Sequence, residues 1–503
     1  MNRPVMLQKL KDETEWDIVV IGGGATGLGT AVDAATRGYK TLLTEQFDFG
    51  KGTSSRSTKL IHGGVRYLAH GNIKLVMEAL HERGYLLKNA PHLTTALAFI
   101  VPVYSWFSKL YYGTGLKIYD LLSGKLSLGK TRFLSKNQTL LQLPGIGDKK
   151  LKGGILYYDG QFDDTRLAVS LAVTAAKYGA AILNYCKATA LTKTEEKVSG
   201  VVIEDTINHI TYTVKAKAVI NATGVFTDAV MQMDEPEKDV LVMPSQGIHL
   251  VVDKHFFPGT NALMIPKTDD GRVLFAVPWH DKVLLGTTDT PVNKISFEPQ
   301  PLQEEIEFVL QHANRYLQKN ITRSEVRSMF AGLRPLVKRK AAKKTSLLSR
   351  DHTIIVSKSG LVTITGGKWT TYRKMAEEAV DNAVFIAKLP KRNCITKHLT
   401  IGDEEDAYVK EDGNNFIHES FHFTQSDIER FIQKEMAITV EDVLARRTRL
   451  LFLDAHAAID AAPSVAKVMA AVMNKDEQWI NEQISLFTQL AKQYCIETAG
   501  IGN

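Results

Sequence analysis

The chain of 503 residues has little cysteine and no long hydrophobic run. Its three cysteines, Cys186, Cys394 and Cys495, lie far apart and in no spacing typical of a metal site. We therefore expect no disulfide framework, no metal centre and a reducing, cytosolic compartment. No stretch reaches the ~18 consecutive apolar residues of a membrane span, and the N-terminal residues lack the apolar core of a signal peptide, so export is not expected.

Charge of one sign is in small excess. The 62 Lys and Arg residues against 55 Asp and Glu give a net charge of +7, which is too weak to predict nucleic-acid binding. With 44% apolar and 23% charged residues, the composition is that of an ordinary globular protein and excludes a disordered, collagen-like or coiled-coil chain. At roughly 150 residues per domain, the length predicts about three domains.

The segment from residue 16 to residue 45 predicts a βαβ unit that binds a dinucleotide. An apolar strand, residues 16–21, runs into an Ala-rich helix, residues 28–37, and a second strand ends at Glu45. Three glycines lie between the first strand and the helix: Gly22, Gly24 and Gly27. They let the backbone approach a pyrophosphate at the positive end of the helix. Glu45 is placed to bind the ribose hydroxyls, and an acid there disfavours NADP.

FAD and NAD share this fingerprint, so other segments must distinguish them. The hydroxyl-rich loop of residues 53–67 leads into a double glycine, which suits a long cofactor with a flat ring. Residues 366–373 follow a strand and open a helix, whose dipole would stabilise negative charge on a reduced flavin. An ordinary loop before a capped helix is the alternative. The candidate cofactor contacts outside the βαβ unit are Thr53, Ser54, Ser55, Lys59, Leu60, His62, Gly63, Gly64, Thr223, Gly224, Gly366, Gly367, Lys368 and Thr370.

Seven segments, in order and spacing, resemble the FAD-dependent glycerol-3-phosphate dehydrogenases, and the mitochondrial-type enzymes at least as much as the shorter bacterial ones. They are GGGATGLG, TSSRSTKLIHGGVRYL, YYDGQFDDTRL, NATG, AGLRPL, LSRDHT and TGGKWTTYR. The resemblance covers nearly the whole chain. It implies FAD as the cofactor and an α/β fold of the Rossmann-like glutathione-reductase or D-amino-acid-oxidase type, with an antiparallel-sheet substrate domain and an all-helical C-terminal domain.

The predicted FAD-binding domain is discontinuous. The apolar segments 200–204, 218–223 and 360–365 are each bordered by glycine, and we expect them to be parallel strands of the same sheet as residues 16–21. Capping-box patterns at residues 424–427 and 439–442 predict helices near the C-terminus. The predicted domains are an FAD-binding domain of residues 1–90, 153–240 and 350–390, a substrate domain of residues 91–152 and 241–349, and a helical C-terminal domain of residues 391–503.

The resemblance also implies the substrate site. Arginines of three family motifs, Arg66, Arg334 and Arg350, would surround the substrate phosphate, accompanied by Tyr67 and Lys368. Arginine suits this role because its planar fork binds phosphate oxygens bidentately. A solvated surface charge is the alternative for each arginine.

For the catalytic base we favour His249, which matches a family histidine close to the flavin and has an ordinary pKa near working pH. His62 is the second candidate, and Lys368 accompanies them at the reacting centre. The residues before His249, Gln246-Gly247-Ile248, depart from the Gly-Ser-His pattern of the bacterial relatives.

The function implied is oxidation of sn-glycerol 3-phosphate to dihydroxyacetone phosphate, with electrons passed from FAD to a membrane quinone. One alternative is a glycerol-3-phosphate oxidase that produces hydrogen peroxide. An amine oxidase of the glycine or sarcosine kind shares the fold but needs no phosphate site. A third alternative, from outside enzymology, is a non-catalytic FAD-containing module that binds RNA or protein.

Two segments predict contact with an anionic membrane surface. Residues 104–119 interleave aromatic residues with lysines, as in surfaces that enter lipid headgroups; packing in the core is the alternative. Residues 338–344 form a cationic run, for which a solvated loop is the alternative. We expect a cytoplasmic protein bound peripherally to the inner face of the cell membrane, with no nucleic-acid partner, and the sequence leaves a homodimer open.

Overall fold

The structure is a computed structural model that describes residues 1–69, 71–338, 352–402, 416–418 and 421–496, except the side chains of Arg66 and Ala69. The strands are β1 Trp16–Ile21, β2 Thr41–Thr44, β3 Leu60–Ile61, β4 Thr94–Val103, β5 Arg132–Leu134, β6 Gly153–Phe162, β7 Ala181–Leu183, β8 Cys186–Thr194, β9 Lys197–Asp205, β10 Ile210–Asn221, β11 Val242–Asp253, β12 Ala262–Ile265, β13 Leu274–Trp279, β14 Lys282–Gly286, β15 Thr290–Pro291, β16 Val326–Val337, β17 His352–Val356, β18 Val362–Gly366, β19 Phe416–His418 and β20 Phe421–Thr424. The helices are α1 Arg3–Asp12, α2 Ala25–Thr36, α3 Val65–Ala69, α4 Ile73–Asn89, α5 Trp106–Ser123, α6 Lys136–Gln142, α7 Asp164–Lys177, α8 Thr227–Asp234, α9 Gln303–Asn314, α10 Tyr372–Ile386, α11 Gln425–Glu435, α12 Leu450–Leu453, α13 Ala455–Met473 and α14 Glu477–Lys492.

The first sheet has the strand order β17-β18-β10-β1-β2-β7. Strands β18, β10, β1, β2 and β7 are parallel, and apolar side chains of β1, β2 and β10 pack against α2 and α7 in one core. This confirms the predicted βαβ unit and the parallel strands near residues 218–223 and 360–365. The expectation for residues 200–204 is wrong in direction: they lie in β9, which pairs antiparallel with β10 because only a tight turn separates the two strands.

The second sheet is largely antiparallel, with the order β15-β11-β14-β13-β12-β4-β6-β3, and with β16 beside β11 and β5 beside β6. Helix α9 and apolar side chains of β11, β13 and β14 share one core on this sheet, as expected for the substrate side. Strands β3 and β6 pair with each other in this sheet, although the predicted boundaries place both in the FAD-binding domain. The division of the chain into domains stays a prediction.

In the C-terminal part, the described residues from 425 to 492 are mostly helical, and β19 and β20 form a hairpin before them, so the expectation of an all-helical unit is corrected at that point. Helix α11 begins at the predicted capping box, in which Thr424 Oγ1 accepts a hydrogen bond from the Asp427 amide and the Asp427 carboxylate accepts one from the Thr424 amide. The C-terminal core continues under β16, where Phe330 and Phe452 meet edge to face. Within the described ranges, no helix is both long and apolar enough to pass through a membrane.

Candidate active site

Two connected cavities lie at the carboxyl ends of the parallel strands. The first, here called the nucleotide groove, has a volume of about 380 Å³ and is lined by residues that follow β1, β2, β10 and β18. The second, here called the inner cavity, has a volume of about 290 Å³ and faces the second sheet. Residues common to both linings are Thr53, Pro335, Gly367, Lys368 and Trp369. The two cavities therefore adjoin at these residues.

The glycine motif keeps the end of the groove open. Gly22 has φ +113°, and a Cβ there would lie 2.7 Å from the Ala222 carbonyl oxygen. A Cβ on Gly27 would lie 1.9 Å from the Gly22 carbonyl oxygen, so only glycine allows α2 to approach the strand this closely. Gly24 precedes α2 and lines the groove with Gly22. The backbone and the helix N-terminus thus fit the pyrophosphate of a dinucleotide.

Glu45 follows β2 and lines the groove, as its predicted position requires. Its carboxylate accepts hydrogen bonds from the Gly23 amide at 2.6 Å and the Phe47 amide at 2.9 Å. Burial raises the pKa of this carboxyl group, while the two amides oppose the rise. The carboxylate is therefore fixed at the groove surface, and its contact with a ribose stays a prediction.

Most of the other predicted cofactor residues line one of the cavities. Those in the nucleotide groove are Thr53, Ser54, Thr223, Gly224, Gly366, Gly367 and Lys368. Those in the inner cavity are Thr53, Leu60, His62, Gly64, Gly367, Lys368 and Thr370. The amide of His62 and its carbonyl oxygen both pair with the Thr370 hydroxyl, at 3.2 and 3.3 Å, which joins the two predicted flavin-side segments.

Four predicted cofactor residues lie outside both linings: Gly27, in α2, and three residues of the loop of residues 53–67, for which the structure does not support direct contact with the cofactor. The Lys59 ammonium is fully buried and pairs with the Asp164 carboxylate at 2.7 Å, because a buried charge requires a partner. Ser55 is buried and its carbonyl oxygen accepts from the same ammonium. The Gly63 amide donates to the Tyr119 hydroxyl at 2.7 Å. All three hold the loop in place from behind the cavity.

His249 lies on β11 and lines the inner cavity. Its Nε2 is 2.9 Å from the Thr58 hydroxyl, and its ring stacks on Phe330. Burial, with smaller contributions from Lys59 and Arg334, holds the pKa of His249 well below the usual histidine range. The imidazole is therefore neutral at neutral pH and has the protonation state of a base.

The cationic residues of the inner cavity are held by polar neighbours. Arg334, on β16, places Nη1 3.3 Å from the Asp289 carboxylate and Nη2 3.1 Å from the Thr287 hydroxyl. The Lys368 ammonium lies 4.1 Å from the centre of the Tyr67 ring. Arg350 lies outside the described residues, and for Arg66 only the backbone, in α3, is described. The structure thus brings together Arg334, Tyr67, Lys368, His249 and His62.

Sequence reasoning missed four charged residues of the inner cavity: Arg56 and Asp159, which lie within family motifs, and Arg272 and Asp289, which do not. Arg272 pairs with Asp270 through Nε at 2.7 Å, and its Nη1 has no hydrogen-bond partner within the part of the chain that the structure describes. Asp289 receives hydrogen bonds from Arg334 and from the Ser245 hydroxyl. Neither residue belongs to a glycine-rich or cationic motif, so the one available signal was a charged residue next to an apolar strand.

Comparison with known proteins gives the class. Residues 17–373 match a family model described as FAD dependent oxidoreductase, and residues 396–480 match one described as the C-terminal domain of alpha-glycerophosphate oxidase. The fold agrees with these matches, because a glycine-lined groove lies at the end of the parallel sheet and the inner cavity adjoins that groove. The chain is therefore an FAD-dependent oxidoreductase.

Individual relatives narrow the class. The chain is 40% identical to the mitochondrial glycerol-3-phosphate dehydrogenases of Mesocricetus auratus, over 97% of this chain and 74% of the relative, and of Homo sapiens, over 96% and 74%. The solved glycerol-3-phosphate dehydrogenase from Bacillus halodurans, complexed with FAD, superposes with a TM-score of 0.79 at 28% identity and 99% coverage of both chains. The L-alpha-glycerophosphate oxidase of Mycoplasma pneumoniae shares the fold, with a TM-score of 0.59 at 18% identity. The superposition covers 76% of this chain and 98% of the oxidase chain. The chain belongs to the family of FAD-dependent glycerol-3-phosphate dehydrogenases.

Proposed function

We propose that the protein oxidises sn-glycerol 3-phosphate to dihydroxyacetone phosphate. The observation that carries the proposal is the inner cavity, which adjoins the nucleotide groove and places a neutral histidine, His249, beside the cations Arg334 and Lys368. Oxidation of the substrate removes a hydride from C2 and a proton from its hydroxyl group. FAD bound in the groove supplies the hydride acceptor.

His249 receives the hydroxyl proton. Its depressed pKa keeps the imidazole neutral before the reaction, and the hydrogen bond to Thr58 with the stacking on Phe330 fixes the plane of the ring. A base held in this way can take the proton as the hydride leaves C2. His62 lines the same cavity and is the second candidate.

Arg334 binds the phosphate group. Arg334 lines the cavity, and its side chain is 22% exposed, so its charge can act on a doubly charged anion there. By family resemblance Arg66 and Arg350 join it, with Tyr67 and Lys368 beside them. Asp289, which pairs with Arg334, keeps the guanidinium oriented before substrate binds.

The test is anaerobic reduction of the holoenzyme. Addition of glycerol 3-phosphate should bleach the flavin absorbance, whereas glycine and sarcosine should leave it unchanged. Bleaching by the amines alone would favour an amine oxidase, and no bleaching by any of the three would favour a non-catalytic FAD-containing module. Either result contradicts the proposal.

We further propose a membrane quinone as the electron acceptor and docking on the cytoplasmic face of the cell membrane. Helix α5 supports docking because a row of large apolar side chains is exposed along it: Trp106 (72%), Phe107 (80%), Leu110 (67%), Tyr111 (57%) and Leu121 (80%). The Lys109 ammonium lies 5.2 Å from the Trp106 ring, a combination suited to lipid headgroups. Residues 339–344 of the cationic run lie outside the described residues, and their lipid contact stays a prediction, as does a homodimer.

Vesicle binding tests the docking surface. The double variant Phe107→Ser/Leu110→Ser should lose co-sedimentation with vesicles that contain anionic phospholipid. Phe385→Ser is the control, since Phe385 is 81% exposed on α10, outside this surface. Equal binding by both variants would refute the docking surface.

An oxidase is the second candidate, favoured by the match of residues 396–480 to the C-terminal domain model of alpha-glycerophosphate oxidase. Hydrogen peroxide formed in air at the rate of substrate consumption would establish it and overturn the quinone proposal. Faster turnover with a water-soluble quinone than with air alone is the result that we expect.

A further inference from the structure

The C-terminal part of the chain holds one side of the nucleotide groove. Residues 45–54, here called the groove loop, follow β2, and most of them line the groove. The loop contains one short turn of 3-10 helix and no strand. Backbone hydrogen bonds tie it to the Gly23 carbonyl oxygen, through the Gly50 amide at 2.9 Å, and to the Tyr185 amide, through the Phe47 carbonyl oxygen at 2.9 Å; side-chain ion pairs add to these. Two of its charged residues, Asp48 and Lys51, make their ion pairs chiefly with residues almost 400 positions later.

Asp48 is fully buried and is held by two arginines. The Arg447 guanidinium binds both carboxylate oxygens, with Nη1 at 2.6 Å and Nη2 at 2.9 Å, and Arg446 Nε donates to Oδ2 of the same carboxylate. A bidentate pair of this kind fixes direction as well as distance. Arg447 Nη2 also donates to the Glu435 carbonyl oxygen at 2.8 Å, which ties the pair to the end of α11.

Lys51 continues the network to the groove surface. Its ammonium is 2.7 Å from Glu441 Oε2, and Glu441 Oε1 accepts from Arg446 Nη1 at 2.7 Å. Lys51 also lines the groove and lies 5.0 Å from the Phe47 ring, another residue of the lining. A continuous chain of charged hydrogen bonds therefore runs from the C-terminal part of the protein to residues that face the cofactor site.

We propose that Glu441, Arg446 and Arg447 are positioning residues that hold the groove loop against FAD, so that retention of the cofactor depends on the C-terminal domain. This role is separate from binding and oxidation of the substrate. The groove loop contributes one side of the groove, and the first sheet contributes the other through residues after β10 and β18. A groove loop that has lost its ion pairs would spend more time away from the cofactor and would release it faster.

The experiment compares full-length variants. Glu441→Gln removes the charge that pairs with Lys51, and Asp48→Asn removes the carboxylate bound by both arginines. Glu429→Gln is the control, since this carboxylate lies on α11 and binds Gln425. The measured quantities are the dissociation constant of FAD, its rate of release followed by flavin fluorescence, and the melting temperature of the apoprotein.

Glu441→Gln should raise the FAD dissociation constant about 5- to 30-fold, mostly through faster release. This is less than the loss of a whole charged hydrogen bond, because the glutamine amide still accepts from Lys51 or Arg446 without the negative charge. The apoprotein should also melt somewhat below the control, because Glu441→Gln loses the ion pairs with Lys51 and Arg446. Lys51→Met should raise the FAD dissociation constant by a smaller factor in the Glu441→Gln variant than in the wild-type protein, because both substitutions break the same ion pair. An unchanged rate of FAD release by Glu441→Gln would overturn the proposal, whether or not the melting temperature falls. This holds even if Asp48→Asn fails to fold. No substrate is used, so the result is independent of the proposed reaction.

Discussion

Replacing Arg334 by alanine tests the assignment of the inner cavity to a phosphate ester. The Arg334 side chain is 22% exposed and already directed by Thr287 and Asp289, so a phosphate would meet a partly desolvated, oriented guanidinium. A charged hydrogen bond of this kind contributes about 1.5–3 kcal/mol. At about 1.4 kcal/mol per factor of ten, Arg334→Ala should raise the KM for glycerol 3-phosphate about 10- to 150-fold.

The neighbouring carboxylate favours the upper half of that range. Asp289 lies 3.3 Å from Arg334 Nη1, and without the guanidinium its negative charge would face the phosphate directly. Arg334→Lys keeps the charge but loses the planar fork, so its KM should lie between the wild-type and alanine values.

Steady-state kinetics with an artificial dye as electron acceptor measures the effect without a membrane. Arg327→Ala is the matched control, because Arg327 lies on the same strand, is 45% exposed and pairs with Asp253. A KM unchanged in Arg334→Ala, or raised equally in Arg327→Ala, would refute the role of Arg334 in phosphate binding.

Three further predictions concern His249, Gly27 and Glu441. His249→Gln should lower kcat about 10²- to 10⁴-fold with a smaller change in KM. Because burial keeps the pKa of His249 low, the wild-type kcat should stay constant as pH falls through about 6.5. A kcat that halves near that pH would contradict a neutral buried base. Gly27→Ala should abolish FAD binding, measured as flavin content after purification, because its Cβ would lie 1.9 Å from the Gly22 carbonyl oxygen. Burial would raise the pKa of Glu441, but its arginine and lysine partners lower it to about 2; its contribution to stability is therefore complete above about pH 4.5 and lost as pH falls towards 2. The urea midpoints of wild type and Glu441→Gln should differ by a constant amount above pH 5 and converge below pH 4, and a difference that grows on acidification would contradict the assigned pairing.

The sequence predicts the βαβ unit well because its chemistry is local. The clash that excludes a side chain at Gly27 involves Gly22, five positions away, so one short segment contains both partners. The role of Lys59 depends instead on Asp164, 105 positions away. The sequence of the hydroxyl-rich loop shows which residues could face a cofactor. It does not show which of these residues are held away from the cavity by a carboxylate that lies far along the chain.

Helix α5 illustrates a second limit. Its sequence alternates apolar residues with lysines, and an apolar side chain has the same pattern whether it faces the core or the surface. Trp106 and Leu110 are exposed, whereas Leu116 and Tyr119 of the same helix are buried. The difference arises from where the second sheet lies, which depends on the pairing of β4 with β6 between residues that are 50 to 68 positions apart. Periodicity within α5 could not supply that information.

The interlacing of distant segments in the nucleotide groove has a consequence for biosynthesis. Strand β18 takes its place beside β10 only after residue 366 has been made, and the arginines that bind Asp48 follow at residues 446 and 447. A nascent chain therefore carries its glycine motif for most of translation without a finished site around it. Because such long-range pairings form late, cofactor capture belongs to the end of synthesis, and chains interrupted before residue 447 would leave the ribosome with an incomplete site.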